Sequence, residues 1–423
     1  MIAVETIVIG AGHAGLAVSR LLTDAGHDHV VLERGRVGER WRTERWDSLH
    51  LLTPAWMTRL PGFEHAGPDA DAYLSAARFV EHLEAYAASF DVPLIDDTTV
   101  VAVEAADGAE GTRYRVVTDD GTWGARNIVI ATGPHGIPNV PAGLDPSVVV
   151  PARDYRSPGQ LADGGVLVVG ASSSGVQIAD ELNRAGREVT LAVGRHTRMP
   201  RRYRGLDIYW WLESTGRLAR TIEEMRDPVT ARREPSMQLV GRNDPEKAAL
   251  DLGVLQSRGV RLAGRLAGVS GRRAEFRDDL ELKIATADTV MNRFLDAVDG
   301  YVESAGLARE VWPALRPGPI DAAPAPTQLD LRAEGISTIV MATGYRPYHP
   351  WLRLPIAAHD GTLNQRRGRT EAPGVYTVGQ PFQHRRDSGL IDGARHDARL
   401  VVDQLLGAAA HTAGCPTDEG SLR

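Results

Sequence analysis

Apolar and polar positions along the chain follow two periods in a recurring order. Residues 4–9 form an apolar strand, Leu16, Val18, Leu21 and Leu22 then fall at helical spacing, and residues 30–32 form a second short strand. The same strand–helix–strand order returns at 166–169, at the face made by Val176, Ile178, Ala179 and Leu182, and at 188–193. Between the two units the pattern predicts a helix over 71–90, with Leu74, Val80, Leu83 and Ala87 mostly on one face and Pro93 beyond its end. Three strands follow at 99–105, 113–118 and 123–131, with turns expected at Asp107-Gly108 and Asp120-Gly121.

After the second unit, residues 203–218 contain the most aromatic run, Tyr209-Trp210-Trp211, which suits core packing better than a substrate wall. Short strands are expected within 259–280, and a helix over 289–304 presents Val290, Phe294, Val298 and Tyr301 on one face. Strands at 336–340 and 374–380 and a helix at 394–406 complete the order. Proline-rich stretches at 134–158 and 313–326 read as linkers. The pattern predicts an α/β fold with two Rossmann-like dinucleotide-binding domains, the second inserted into the first. The expected boundaries are 1–148 and 327–410 for the two parts of the outer domain, 149–326 for the insert with its lid region, and 411–423 for a polar tail.

The chemistry lies in the turns that join each first strand to its helix. The first reads Gly10-Ala11-Gly12-His13-Ala14-Gly15. Its glycines suit a tight exit from the strand, close approach of a pyrophosphate to the backbone, and close packing of helix on sheet. The second strand ends in Glu33, at about the 20-residue spacing of the acid that binds ribose hydroxyls. The second turn reads Gly170-Ala171-Ser172-Ser173-Ser174-Gly175, with Ser172 in place of the middle glycine. Its following strand runs into Gly194-Arg195-His196, with Arg198, Arg201 and Arg202 close behind. Guanidinium groups at that position suit a 2′-phosphate, so the second site favours NADPH over NADH.

An Ala-Thr-Gly strand ending occurs twice, at Ala131 and Ala342, where a backbone without bulky side chains can lie against a cofactor. Residues 38–54 are polar and irregular, and Trp41 and Trp46 among arginines suit either a cover over a flat ring system or a loop pinned by half-buried indoles.

Composition narrows the class. The 423 residues carry a net charge of −7 with 43% hydrophobic and 24% charged residues, an ordinary globular balance that argues against a nucleic-acid or anionic-membrane surface. The single cysteine, Cys415, excludes dithiol–disulfide chemistry within one chain. No run approaches a membrane span, and a strand at the very start leaves no room for a leader, so a cytoplasmic protein is expected. The residues suggest no metal-ligand set.

In this order the motifs resemble the two-dinucleotide-binding-domain flavoproteins, and among them the class B flavin-dependent monooxygenases. The likeness rests on the first turn with Glu33, Gly38 and Trp41, the run Arg45 to Leu49, the second turn with Arg195, Ala342 to Tyr345 and the strand ending at Gly379. It implies the three-layer FAD/NAD(P)-binding fold with FAD on the first turn, at Gly10, Gly12, His13, Ala14 and Gly15. Glu33 and Arg34 would then lie by the adenosine ribose, Val100 by adenine, and Gly38, Arg40 and Trp41 on the flavin side. Thr132 and Gly133 would lie beside the cofactor, and Gly379, Gln380, Leu390 and Ile391 near the ribityl chain and isoalloxazine.

NADPH would lie at Gly170, Ser172, Ser173, Ser174, Gly175, Arg195 and His196. Candidates for lining the reacting ring are Thr53, His384 and Arg385. The implied activity is oxygen transfer from O2 to a small organic substrate through a C4a-(hydro)peroxyflavin. Of the family's FxGxxxHxxxY fingerprint only Tyr155 is kept, with Asp145, Ser147 and Pro151 at the other positions, and Thr53-Pro54 stands where many N-oxygenating relatives have Thr-Asn. An NADPH-dependent flavoprotein oxidase, dehydrogenase or reductase and a non-catalytic FAD-binding protein stay open beside it. A homo-oligomer stays open too.

Overall fold

The computed structural model describes residues 2–106, 111–243, 249–322 and 324–413; the turn expected at Asp107-Gly108 and the cysteine at Cys415 lie outside them. The first unit is built on a nine-stranded sheet. Its centre is the strand Ile2–Ile9, flanked in parallel by His29–Leu32 on one side and Gly121–Ile130 on the other. Val375–Thr377 adds in parallel to Gly121–Ile130, while Val100–Ala105 and Tyr114–Thr118 form an antiparallel meander with that same strand.

Helices His13–Asp24, Ala76–Ala88 and Ile391–Ala413 cover one face through an apolar core that includes Leu16, Leu22, Phe79 and Val401. The meander covers the other through Val103, Val116 and Ile128, which completes three layers. The helix expected over 71–90 starts only at Ala76, because the Ser75 side chain accepts from the Arg78 N–H at 3.2 Å and so sets its first turn.

The second unit repeats this plan. Gly165–Val169 lies between Val189–Ala192 and Ile336–Met341, with Val149–Pro151 and Arg261–Ala263 at the edges, all in parallel. Leu266–Ser270, Arg273–Phe276 and Gln328–Asp330 form its antiparallel layer. The boundary expected at 326/327 is corrected here: 328–330 and 336–341 belong to the second unit, because the strand ending in Met341-Ala342 fills the place that the strand ending in Ile130-Ala131 fills in the first.

The linker read at 134–158 is also partly ordered. Ile137–Pro138 pairs antiparallel with Tyr345–Arg346, so the outgoing and returning chains cross between the units as one two-stranded ribbon. The Asn139 N–H bonds the Gly344 carbonyl at 2.9 Å, and the Thr343 hydroxyl bonds the Asn139 carbonyl.

Within the insert, the aromatic run forms the helix Ile208–Ser214, whose Trp211 is fully buried against Phe294 of the long helix Leu280–Ser304. That outcome matches the core reading. The polar stretch 38–54 is more structured than its composition suggests, with a short helix Glu39–Thr43 and with Trp46, Leu49 and Leu51 buried. No helix among the described residues is long and apolar enough to cross a membrane.

Candidate active site

Both glycine turns have the same geometry. Gly10 and Gly170 have φ of +109° and +105°, values that L side chains rarely adopt, and a Cβ on Gly10 would come within 2.8 Å of the Ala131 carbonyl oxygen. A Cβ on Gly15 would overlap the carbonyl of Gly10, and one on Gly175 the carbonyl of Gly170. Gly12 is different: a Cβ there would meet nothing within 4 Å. Gly12 caps the helix His13–Asp24 in extended geometry with no side-chain bond to the first N–H groups, which leaves an open, positively polarised approach. Ser172 caps Ser173–Arg184 in the same extended conformation, and its hydroxyl makes no capping bond either.

Two polar side-chain atoms beside the first turn are shielded from water and have no partner, the Thr132 hydroxyl and Gln380 Nε2, and the buried Thr53 hydroxyl is likewise unpartnered. Buried polar groups are nearly always paired, so such orphans mark where a ligand's polar atoms fit. Glu33 accepts from the Ala11 N–H at 2.6 Å and the Gly35 N–H at 3.3 Å. Burial pushes its carboxyl above the usual range. Gly379, at φ +78°, packs 3.1 Å from the Ala14 Cβ if given a Cβ of its own, which explains why a glycine brings Gln380 against the first helix. The Gly38 N–H bonds the Ala11 carbonyl at 3.1 Å and so ties the helix Glu39–Thr43 to the turn. Trp41 meets Phe79 edge-on at 4.9 Å, with the Arg45 guanidinium 5.1 Å over its ring.

Arg34 pairs with Glu44 at 2.8 Å, and Arg40 donates to the His135 carbonyl. Val100 begins the strand two residues after Thr98, whose N–H bonds the Glu33 carbonyl at 2.8 Å. The Leu390 N–H bonds the Asp387 carbonyl at 2.7 Å, and Ile391 opens the long C-terminal helix.

The sequence motifs include His13, Arg40 and Arg45 but not His135, which the fold brings beside the two arginines. His13 is pushed down to about 4 by burial, and His135 to about 3 by burial and by the Arg45 and Arg40 charges, so both rings are neutral at neutral pH. His135 is nonetheless exposed and lies edge-on to Tyr345 at 4.9 Å.

At the second turn the arginine run is divided by the fold. Arg195 is exposed and donates to the Arg233 carbonyl. Arg198 is buried between Asp251 at 2.8 Å and Asp288 at 2.7 Å, and Arg201 is buried against Asp207 at 2.6 Å and the Leu52 carbonyl at 2.8 Å. The expected cation cluster is therefore corrected: Arg198 and Arg201 are consumed by internal ion pairs and are withdrawn from any phosphate. His196 likewise turns inward, buried with its Nδ1 3.0 Å from the Gly194 carbonyl.

Of the residues expected to line the reacting ring, Thr53 is buried with its free hydroxyl, while Arg385 is committed to Asp387 by two bonds of 3.0 and 2.9 Å. His384 is half-buried, and its carbonyl takes the Ile222 N–H at 2.8 Å, which lashes the insert to the loop before Ile391. Tyr155 is buried and donates to Glu181 at 2.8 Å, bracing the second glycine-turn helix. Asp145 and Ser147 close an exposed turn on each other, and Pro151 sits in an edge strand of the second sheet.

Two phosphate-ready turns in one chain define a dinucleotide oxidoreductase, and the sequence comparisons agree. Residues 7–225 match the model of the family described as pyridine nucleotide-disulphide oxidoreductase. The chain is 28% identical over 418 residues to an uncharacterized CzcO-like oxidoreductase of Geobacillus kaustophilus, covering 95% of this chain and 98% of that one. It is 30% identical over 423 residues to the indole-3-pyruvate monooxygenase YUCCA1 of Oryza sativa, covering 94% and 90%. A flavin-containing monooxygenase structure from Stenotrophomonas maltophilia has the same fold, with TM-score 0.66 and 21% identity over 97% of this chain and 100% of that one.

The chain belongs to the pyridine nucleotide-disulphide oxidoreductase family. It is an enzyme that uses FAD and NADPH, and a monooxygenase is among its relatives matched over nearly the full length.

Proposed function

We propose that this enzyme is an NADPH-dependent monooxygenase that inserts one atom of O2 into a small organic substrate and reduces the other to water. The overall balance is NADPH, a proton, O2 and substrate giving NADP+, water and oxygenated substrate. The observation that carries this reading is the combination of two complete dinucleotide turns with a single cysteine in the sequence. Electrons that enter from NADPH have no dithiol within the chain to receive them, and relatives over the whole length include a monooxygenase.

Bound FAD supplies the chemistry, taking a hydride from NADPH and passing the electron pair to O2. The chain's own residues do the rest. The open N-terminus at Gly12 takes the FAD diphosphate, and Glu33 orients the ribose hydroxyls. Thr132 and Gln380, whose polar atoms lack partners, bond the cofactor beside Gly133 and Gly379. With FAD bound, the helix starting at Ile391 would present its N-terminal N–H groups to the flavin side.

Thr53 offers a buried hydroxyl that holds a proton near the reacting ring. Beside it Leu52, Trp56 and Leu390 pack on the Met57 and Phe294 cluster, which keeps water from the site. At the second turn Gly170, Ser172, Ser173, Ser174 and Gly175 take the NADPH diphosphate, and exposed Arg195 takes the 2′-phosphate.

The test is anaerobic reduction of the FAD-loaded protein with NADPH, followed by mixing with labelled O2 and candidate substrates. Label in an organic product supports oxygen insertion. Quantitative release of peroxide in every case refutes it and makes the enzyme an oxidase.

A further inference from the structure

A segment of the insert lies against the second glycine turn at Ala171 and Ser173 and against the helix that follows it at Gln177. Met237–Gln238 pairs in parallel with Thr197–Arg198, just beyond Arg195. Gln238 Nε2 donates to the Ala171 carbonyl at 2.7 Å, and Gln177 on the following helix donates to the Leu239 carbonyl at 2.9 Å. The Ser236 hydroxyl is 2.8 Å from that of Ser173, the first residue of the glycine-turn helix. The Thr197 hydroxyl donates to the Pro235 carbonyl at 3.0 Å, and Arg195 to the Arg233 carbonyl.

The first unit contains the counterpart. There the Gly38 N–H takes the carbonyl of Ala11, the residue equivalent to Ala171, and the segment so held covers the first turn. In the second unit the equivalent carbonyl, that of Ala171, is taken by the Gln238 side chain of the strap at 232–238.

Its chemistry is that of an anion site. Arg232 has a solvent-shielded Nε without a partner, and it sits one residue from the carbonyl that anchors Arg195. Arg233 points away to Asp360, at 3.3 Å. No carboxylate is bonded to the Arg195 or the Arg232 guanidinium among the described residues, so both cations at this corner of the second unit are free to take an anion. Ser236 places an exposed hydroxyl next to the N-terminus where a diphosphate docks.

We propose that the strap is the second half of the NADPH site: Ser236 joins Ser173 on the diphosphate, and Arg232 joins Arg195 on the adenosine 2′-phosphate. This rests on the assignment of NADPH to the second turn.

The test uses the FAD-loaded protein and titrates 2′,5′-ADP, NADP+ and NAD+ by calorimetry, with flavin content and melting temperature confirming that each variant is folded. Arg232→Ala is expected to weaken 2′,5′-ADP and NADP+ about tenfold and to leave NAD+ unchanged, with partial recovery in Arg232→Lys. Ser236→Ala is expected to weaken NADP+ and NAD+ by the same factor. Equal affinity of wild type and Arg232→Ala for 2′,5′-ADP overturns the proposal, as does equal loss of NADP+ and NAD+ in that variant. Arg195→Ala separates the two assignments. If it discriminates between NADP+ and NAD+ while Arg232→Ala does not, the strap alone is wrong; if neither does, the assignment of the second turn falls.

Discussion

The three glycines of the first turn do different work, and alanine at two of them separates folding from cofactor binding. At Gly12 the backbone is extended, with φ −79° and ψ 178°, a conformation alanine adopts freely, and its Cβ would meet no atom within 4 Å. Alanine is a slightly poorer helix cap than glycine but loses less chain entropy on folding, so the two effects nearly cancel and stability should stay within about 1 kcal/mol of wild type. On the proposed placement of FAD, the open space is where the diphosphate lies against the backbone. A methyl group there holds the phosphate off the N–H groups and costs about 1.5–3 kcal/mol, a ten- to hundredfold loss of FAD affinity.

At Gly15 the Cβ would overlap the Gly10 carbonyl, a backbone atom that cannot swing aside, and Ala131 presses from the other side at 3.2 Å. Helix and strand must then part, and the whole β-α-β packing suffers by several kcal/mol. The assay is thermal melting of FAD-stripped protein together with flavin absorbance per chain after reconstitution. Gly12→Ala should melt like wild type and reconstitute poorly, whereas Gly15→Ala should melt well below it. Wild-type FAD affinity in Gly12→Ala, or an unaltered melt in Gly15→Ala, would refute this division.

Three further outcomes are expected. Burial pushes the Asp397 carboxyl up to about 7, against about 3.9 for a free aspartate, so it folds in neutral while the unfolded chain carries it ionised. The penalty from this one group is absent at low pH and grows as pH climbs from about 4 to about 7. Asp397→Asn should gain on wild type across that window, by on the order of 4 kcal/mol at its upper end, and denaturant titrations giving a pH-independent difference would count against it. Arg195→Ala should raise the KM for NADPH by one to two orders of magnitude, about 2 kcal/mol, and leave that for NADH unchanged in steady-state assays. Arg201→Met strands the buried Asp207 carboxylate, to which the Tyr73 hydroxyl also donates at 2.6 Å, and should cost about 3–5 kcal/mol in a thermal melt.

The glycine turns were legible because a backbone that must reach φ above +100° and pack carbonyl against Cα leaves its mark as glycine at fixed spacing. The two β-α-β units were legible for a related reason, since strands buried on both faces are continuous apolar runs. What sequence order hides is direction. Arg195, Arg198 and Arg201 stand three residues apart, yet only the first remains exposed, because Asp251, Asp288 and Asp207 draw the others inward from elements far along the chain.

The strand 336–341 was placed with the wrong unit because its Ala-Thr-Gly end is the same device in both; only pairing with Gly165–Val169 assigns it. The strap at 232–238 has no periodic signature at all. Its contacts are single hydrogen bonds to a turn some 60 residues away.

The crossing ribbon has a mechanical consequence. Two chains hydrogen-bonded side by side resist shear and twist much more than bending, so the joint at 137–138 and 345–346 acts like a door hung on two knuckles instead of a single tether. Tyr345 follows the second Ala-Thr-Gly end directly, and Ile137 lies a few residues beyond the first, so the joint abuts both glycine turns. The covalent paths between the two glycine turns both run through this joint, so a change in the length of either strand there is felt at both turns at once.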